Sequence, residues 1–219
     1  GGEAVSTVLL IWVGMLVLAF FAWWAGRHRL AHPQPDAMPG ATARTIFALI
    51  GVLGMMLIGF SPAVGLVLVA GGIGGWIWAA WRSGGVAGLR ERLLRDPRPF
   101  VPLLLLIAVP RLLIGGPAFV VGATLALPSG VGQQLFYLLG LFAPLEALRQ
   151  RTDVAAVVSA LLFALLHVPF VMEANDGDIA AALANVVLFQ ASVGIIACLA
   201  FVRHRAAVPI GVAHALAIG

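Results

Sequence analysis

Long apolar runs separated by short polar connections divide this chain, and the bilayer supplies the ruler: about 20 apolar residues of α-helix cross its hydrocarbon. Eight candidate spans result. Span one runs from Val5 to Gly26, with Trp23 and Trp24 at an interface where amphipathic rings settle, and the polar stretch Arg27 to Arg44 follows. Span two, Thr45 to about Phe60, turns at Ser61 and Pro62 into span three, which continues to Trp81. There Gly71, Gly72, Gly74 and Gly75 invite close approach of a neighbouring helix. Arg82 to Arg98 is again polar, with a modest apolar face at Leu89, Leu93 and Leu94, and reads as a surface-lying helix or a solvated loop. Span four, Pro99 to Leu127, is interrupted by Pro110 and Pro117 and carries Arg111 in its middle. Span five is Val131 to about Leu148 and span six Asp153 to Met172. An acidic loop with Glu173, Asp176 and Asp178 leads into span seven, Ile179 to Val202. The last segment, Pro209 to Gly219, extends only about 16 Å at 1.5 Å per residue and is too short to cross.

The pattern predicts an all-α, polytopic transmembrane bundle of about eight helices, with a three-span N-terminal region, 1–98, ahead of the region 99–219. Composition agrees: 62% of residues are hydrophobic and 10% charged, against about 25% charged in soluble domains. All thirteen basic residues are arginine, and a pI near 11.0 invites a nucleic-acid reading. Their placement decides otherwise. Every arginine except Arg111 falls in the connections after spans one, three, five and seven. Cytoplasmic loops are enriched in Arg and Lys, so these connections are expected inside and the N-terminus outside. The charges orient the chain in its lipids, and no nucleic-acid partner is expected. The single cysteine, Cys198, supports neither a disulfide framework nor a thiolate metal cluster.

Candidate chemistry concentrates between Val131 and Phe170, where two apolar segments are joined by Arg149, Gln150 and Arg151. Each carries polar groups that hydrocarbon rejects: Gln133 and Gln134 near the start of one, His167 near the end of the other. An antiparallel hairpin would bring them to one end at similar depth. A second intramembrane imidazole, His214, sits in the run PIGVAHALAIG. Duller roles exist for each. A lone Gln commonly bonds a neighbouring helix and a lone His packs; Tyr137 anchors packing or lines a cavity; Glu146, Arg149 and Arg151 read as an interfacial cluster. Only their combination and order argue for a site.

That combination resembles the CPBP family, the glutamic intramembrane proteases that include CAAX prenyl endopeptidases and bacteriocin-processing proteins. The family shows EExxxR, FxxxH and HxxxN on successive helices. Phe163 to His167, within SALLFALLH, matches the second motif, and His214 matches the start of the third. Two placements of the first motif compete. Glu146 with Arg151 has the acid-to-arginine offset, but Ala147 replaces the second acid and His167 follows too soon. Gln133 and Gln134 lie 34 and 33 residues before His167 and precede LFY, much like the family's EELFYRG. The Gln pair is preferred. The simplest account is a form of a glutamic protease inactivated by Gln in place of Glu at both positions; a natural pseudoenzyme is the alternative. Leu138 and Ile218 stand where the motif's Arg and Asn are expected. Arg111 and Asn185, polar residues within spans, are the candidates to supply those groups. The resemblance covers about residues 100–219 and makes 99–219 a CPBP-like catalytic core, with 1–98 accessory to it.

The resemblance implies peptide hydrolysis inside the membrane. A glutamate at position 133 would activate water together with His167, a second at 134 would assist, and His214 would donate to the oxyanion. Glutamine keeps the shape but takes no proton at neutral pH, so the chain as it stands should bind without cleaving. The substrate would be a polypeptide with a transmembrane or lipid-anchored tail. Loop charges turn the site toward the outer half of what is expected to be a bacterial cytoplasmic membrane. That favours exported or C-terminally anchored substrates over a prenylated cytosolic tail. No metal or other cofactor is expected: HExxH is absent and amides are poor zinc ligands. A bis-histidine haem and a non-catalytic binding or immunity scaffold are the rival readings.

Overall fold

A computed structural model of the chain describes residues 38–84, 97–149, 151–174, 178, 182–183 and 185–218. The expected span one and the basic segment with Leu89, Leu93 and Leu94 lie outside the described residues. Among those described there is no strand. Helices α1 (Ala41–Leu57) and α2 (Pro62–Arg82) form a hairpin. A short 3-10 turn, Arg98–Phe100, opens α3 (Val101–Leu135), which continues through a π-helical turn, Phe136–Phe142, into α4 (Ala143–Arg149). Then come α5 (Thr152–Leu165), α6 (Val168–Ala174), a second π-helical turn at Val186–Gln190, α7 (Ala191–His204) and α8 (Ala207–Ile218).

The expected spans four and five are one rod, Arg98 to Arg149, that bends at Gly116 instead of parting at Pro128. Proline disfavours helical geometry in the residue before it and has no N–H for the preceding turn. Before Pro117 stands Gly116, which takes φ +53° and ψ −138°, a conformation open to a residue without Cβ. Pro128 follows Leu127, which stays helical, so Pro128 is carried inside α3. Beyond it the rod becomes the centre of the bundle, with every residue from Tyr137 to Pro144 buried. Their neighbours in the core include Ala48 and Val52 of α1, Ala160 and Phe163 of α5, Phe201 of α7 and Ile210 of α8. The surface is the inverse of a soluble one, with Leu113 80% and Ile114 89% exposed. A lipid environment accommodates that face. The chain is an integral membrane protein.

Half of the glycine run in α2 meets the expectation of close packing. A Cβ on Gly72 would lie 2.6 Å from the backbone nitrogen of Gly51, whereas Gly71 and Gly74 have nothing within 4 Å among the described residues. Helical periodicity explains the split, since adjacent residues point to different faces. Gly72→Leu is therefore expected to cost about 1–3 kcal/mol by forcing α1 and α2 apart. Gly71→Leu should leave the unfolding midpoint in detergent unchanged, and comparing the two midpoints checks it. Arg44 locks the other end of the hairpin: buried over the Trp76 ring at 5.3 Å, it donates to Ala80 O at 3.4 Å and Ser83 Oγ at 3.2 Å. A cation suits those carbonyls at a helix C-terminus.

One reading from the sequence is corrected here. Glu146 belongs to no interfacial cluster with Arg149 and Arg151. It is 1% exposed and accepts from Arg205 Nη1 at 2.7 Å, Arg205 Nη2 at 3.2 Å and Thr152 Oγ1 at 2.7 Å. Arg151 instead pairs with Asp153 at 2.6 Å on the surface. The reason is geometric: Arg205 occupies the turn between α7 and α8 with φ +49° and folds its side chain back under α4. This clasp fixes the turn from which α8 departs.

Candidate active site

Position 133 is reached by α8 because two backbones touch. A Cβ on Gly130 would lie 2.7 Å from Ala215 Cα, and one on Gly211 would lie 2.8 Å from Val131 Cα. At that separation the side chains of Gln133 and His214 meet, with His214 Nε2 3.3 Å from Gln133 Oε1. Gln133 Nε2 donates to Ser129 Oγ at 3.0 Å, one turn back on α3. Its Oε1 therefore accepts from the His214 Nε2–H. Gly211→Val would push α8 away by most of an ångström. Because misplacement on that scale costs about 10²-fold in rate, any cleavage by a chain with glutamate introduced at 133 should fall by that factor. Initial rates on one anchored peptide measure it, with Gly74→Ala as the neutral control.

His167 arrives from the other side, and Pro169 is the cause of its geometry. Lacking an N–H, Pro169 cannot continue the ladder of α5, and the helix breaks at Leu166 and His167 before α6 begins. The His167 backbone N–H turns to Ala164 O at 3.0 Å, and its ring Nδ1 takes the Phe163 carbonyl at 2.9 Å. A carbonyl only accepts, so Nδ1 carries the proton and the Nε2 lone pair is left for other partners. The ring rests edge-on against Phe163 at 4.8 Å, which lies 4.6 Å from the Tyr137 ring. Tyr137 is itself pinned, donating to Gly194 O at 2.9 Å with Cys198 Sγ 2.8 Å away. Tyr137 and Phe163 thus form a buried column that orients an imidazole.

Gln133 and His167 line one cavity of about 540 Å³ together with Ser129, Gly132, Phe136 and Phe163. The opposite wall comes from the N-terminal hairpin, at Gly51, Met55, Val69 and Ile73. Gln134 does not line it. That side chain is 1% exposed, and its Oε1 has no hydrogen-bond partner among the described residues. Arg111 donates to Leu216 O at 3.3 Å and to Ala217 O, and stacks on Phe119 at 5.5 Å. It steadies the last turn of α8, beyond His214, and makes no hydrogen bond to Gln133, Gln134 or His167. Asn185 precedes the second π-helical turn and, among the described residues, makes no side-chain hydrogen bond to the glutamines or histidines. Ser129 had no signal in the sequence because it lies in Pro-Ser-Gly, which reads as a loop between spans.

Residues 115–217 match the family described as type II CAAX prenyl endopeptidase Rce1-like. That match covers just under half of the chain. No curated protein and no solved structure matches it. The Rce1-like segment contains Gln133, Gln134, Phe163, His167 and His214, and it falls within the CPBP resemblance read from the motifs. The match supports the CPBP resemblance and, with it, a protease-type membrane fold for this part of the chain. Arg111 and the α1–α2 hairpin that walls the cavity lie outside the Rce1-like segment.

Proposed function

We propose that this fold is an intramembrane endopeptidase of the glutamic type, and that the chain as it stands binds polypeptide substrates without cutting them because Gln133 and Gln134 replace two acids. One observation carries the reading: two groups able to donate, His214 Nε2–H and the Ser129 hydroxyl, converge on the side chain at 133 beside His167. A carboxylate at 133 would accept from both, the Ser129 hydroxyl reversing its role from acceptor to donor. His167, proton on Nδ1, offers Nε2 to a water in the same cavity. Carboxylate and imidazole together would take the proton as that water attacks the scissile carbonyl, and His167 would return it to the leaving amine. In this account His214 orients the carboxylate, since its Nε2–H is engaged at 133, a role different from the oxyanion donor expected from the motif. Tyr137 and Phe163 hold the His167 ring, and Arg111 holds the last turn of α8.

The region 99–219 is the catalytic core and 1–98 the accessory region that walls it. Its substrates are polypeptides held in the membrane by a transmembrane or lipid-anchored tail, in a bacterial cytoplasmic membrane with the N-terminus outside. Gln133 precedes Arg149 by 16 residues and His167 follows Arg151 by 16, about 24 Å of helix each way. With that connection inside, both groups belong to the outer half. The test is to assay the chain and its Gln133→Glu, Gln134→Glu form against a library of membrane-anchored tails. Cleavage gained only in the restored form is the expected result. A restored form that cleaves nothing would favour a binding scaffold.

A further inference from the structure

The cavity that holds Gln133 and His167 does not end there. A second apolar cavity of about 400 Å³ runs along α3 toward Trp76, Leu139 and Gly140. The two share three lining residues, Ile73, Gly132 and Phe136. Ser129, Gly132, Gln133 and Phe136 follow the i, i+3, i+4, i+7 spacing of one helix face. Gly132 is the member without a side chain, and a Cβ built there meets nothing within 4 Å among the described residues. Unlike Gly130, it is not needed for helix contact; it leaves open the space where the cavities meet. The facing wall, Met55, Val69, Ile73 and Trp76, belongs to the hairpin that precedes the Rce1-like segment.

We propose that Gly132 is a specificity-determining residue: its missing side chain opens a pocket for a large apolar side chain of the substrate polypeptide, next to the bond presented to position 133. The α1–α2 hairpin supplies the other wall and so sets which residue is accepted. The proposal rests on the protease reading for the identity of its occupant, but its test reads binding and needs no cleavage.

The probe is a membrane-anchored peptide carrying p-benzoylphenylalanine, photolysed with the unaltered chain in detergent micelles. Mass spectrometry should locate the adduct on Met55, Ile73 or Trp76. In Gly132→Leu that adduct should fall at least tenfold, while Gly71→Leu, an equally bulky change on a face with nothing within 4 Å, should keep it. Unfolding midpoints confirm that both variants fold. A competing peptide with Phe at the probe position should suppress the adduct at about tenfold lower concentration than one with Ala, as burial of a large apolar side chain predicts. Adducts that survive Gly132→Leu, adducts elsewhere or none at all would overturn the pocket. So would a lipidated Ala peptide that competes as well as the Phe peptide, because the occupant would then be the lipid chain. Failure of the restored chain to cleave would count against the protease reading alone.

Discussion

Introducing one acid, at position 133, is expected to be enough for cleavage. Gln133→Glu should raise cleavage of an anchored peptide by about 10²- to 10⁴-fold, the usual contribution of a positioned general base, while Gln134→Glu alone should give little. The two adjacent amides occupy different surroundings. Gln133 lines the cavity with His167 and has partners that can turn toward a carboxylate, in His214 and Ser129. Gln134 is sealed in protein with an oxygen that no donor among the described residues reaches. Burying a charge without a partner is costly, so an acid at 134 would stay protonated and could give a proton but not take one. Rates for the two single variants and the double, on the same peptide, separate the roles. Equal gains from both single variants would mean that the cavity is not where water is activated.

The second large effect concerns stability. Glu146→Ala should destabilise the protein by about 3–5 kcal/mol, because it removes the carboxylate from a buried ion pair with Arg205. Glu146 ties α4 to α5 through Thr152 and to the α7–α8 turn through Arg205. Its loss should therefore loosen α8 and move His214 with it. Replacing both charges together, Glu146→Leu with Arg205→Met, should recover much of the stability, since apolar substitutes for a buried pair are often neutral. Thermal unfolding of the single and double variants in one detergent measures this. A single variant as stable as the parent would show that the pair contributes nothing.

Much of this was legible before any coordinates, and the reason is chemical contrast. Gln133, His167 and His214 stand out because each is polar in a run that lipid would cover, and the helical hairpin brings 133 and 167 to one cavity. What the sequence hid lacks that contrast. Gly51, Val69 and Ile73 wall the same cavity, yet they look like any residues of an apolar span. Ser129 was obscured by its proline and glycine neighbours, which suggest a break that occurs at Gly116 instead. Glu146 and Arg205 lie 59 positions apart, each at the end of a span where charge ordinarily means an interface. Only packing reveals that the two charges meet inside.

The central claim is that position 133 and His167 act on one water within the shared cavity. Its most direct measurement is the single-turnover rate of the Gln133→Glu chain with His167 intact and with His167→Ala. Loss of at least about 10²-fold without His167, at unchanged peptide binding, is the predicted result. An equal rate from both chains would contradict it.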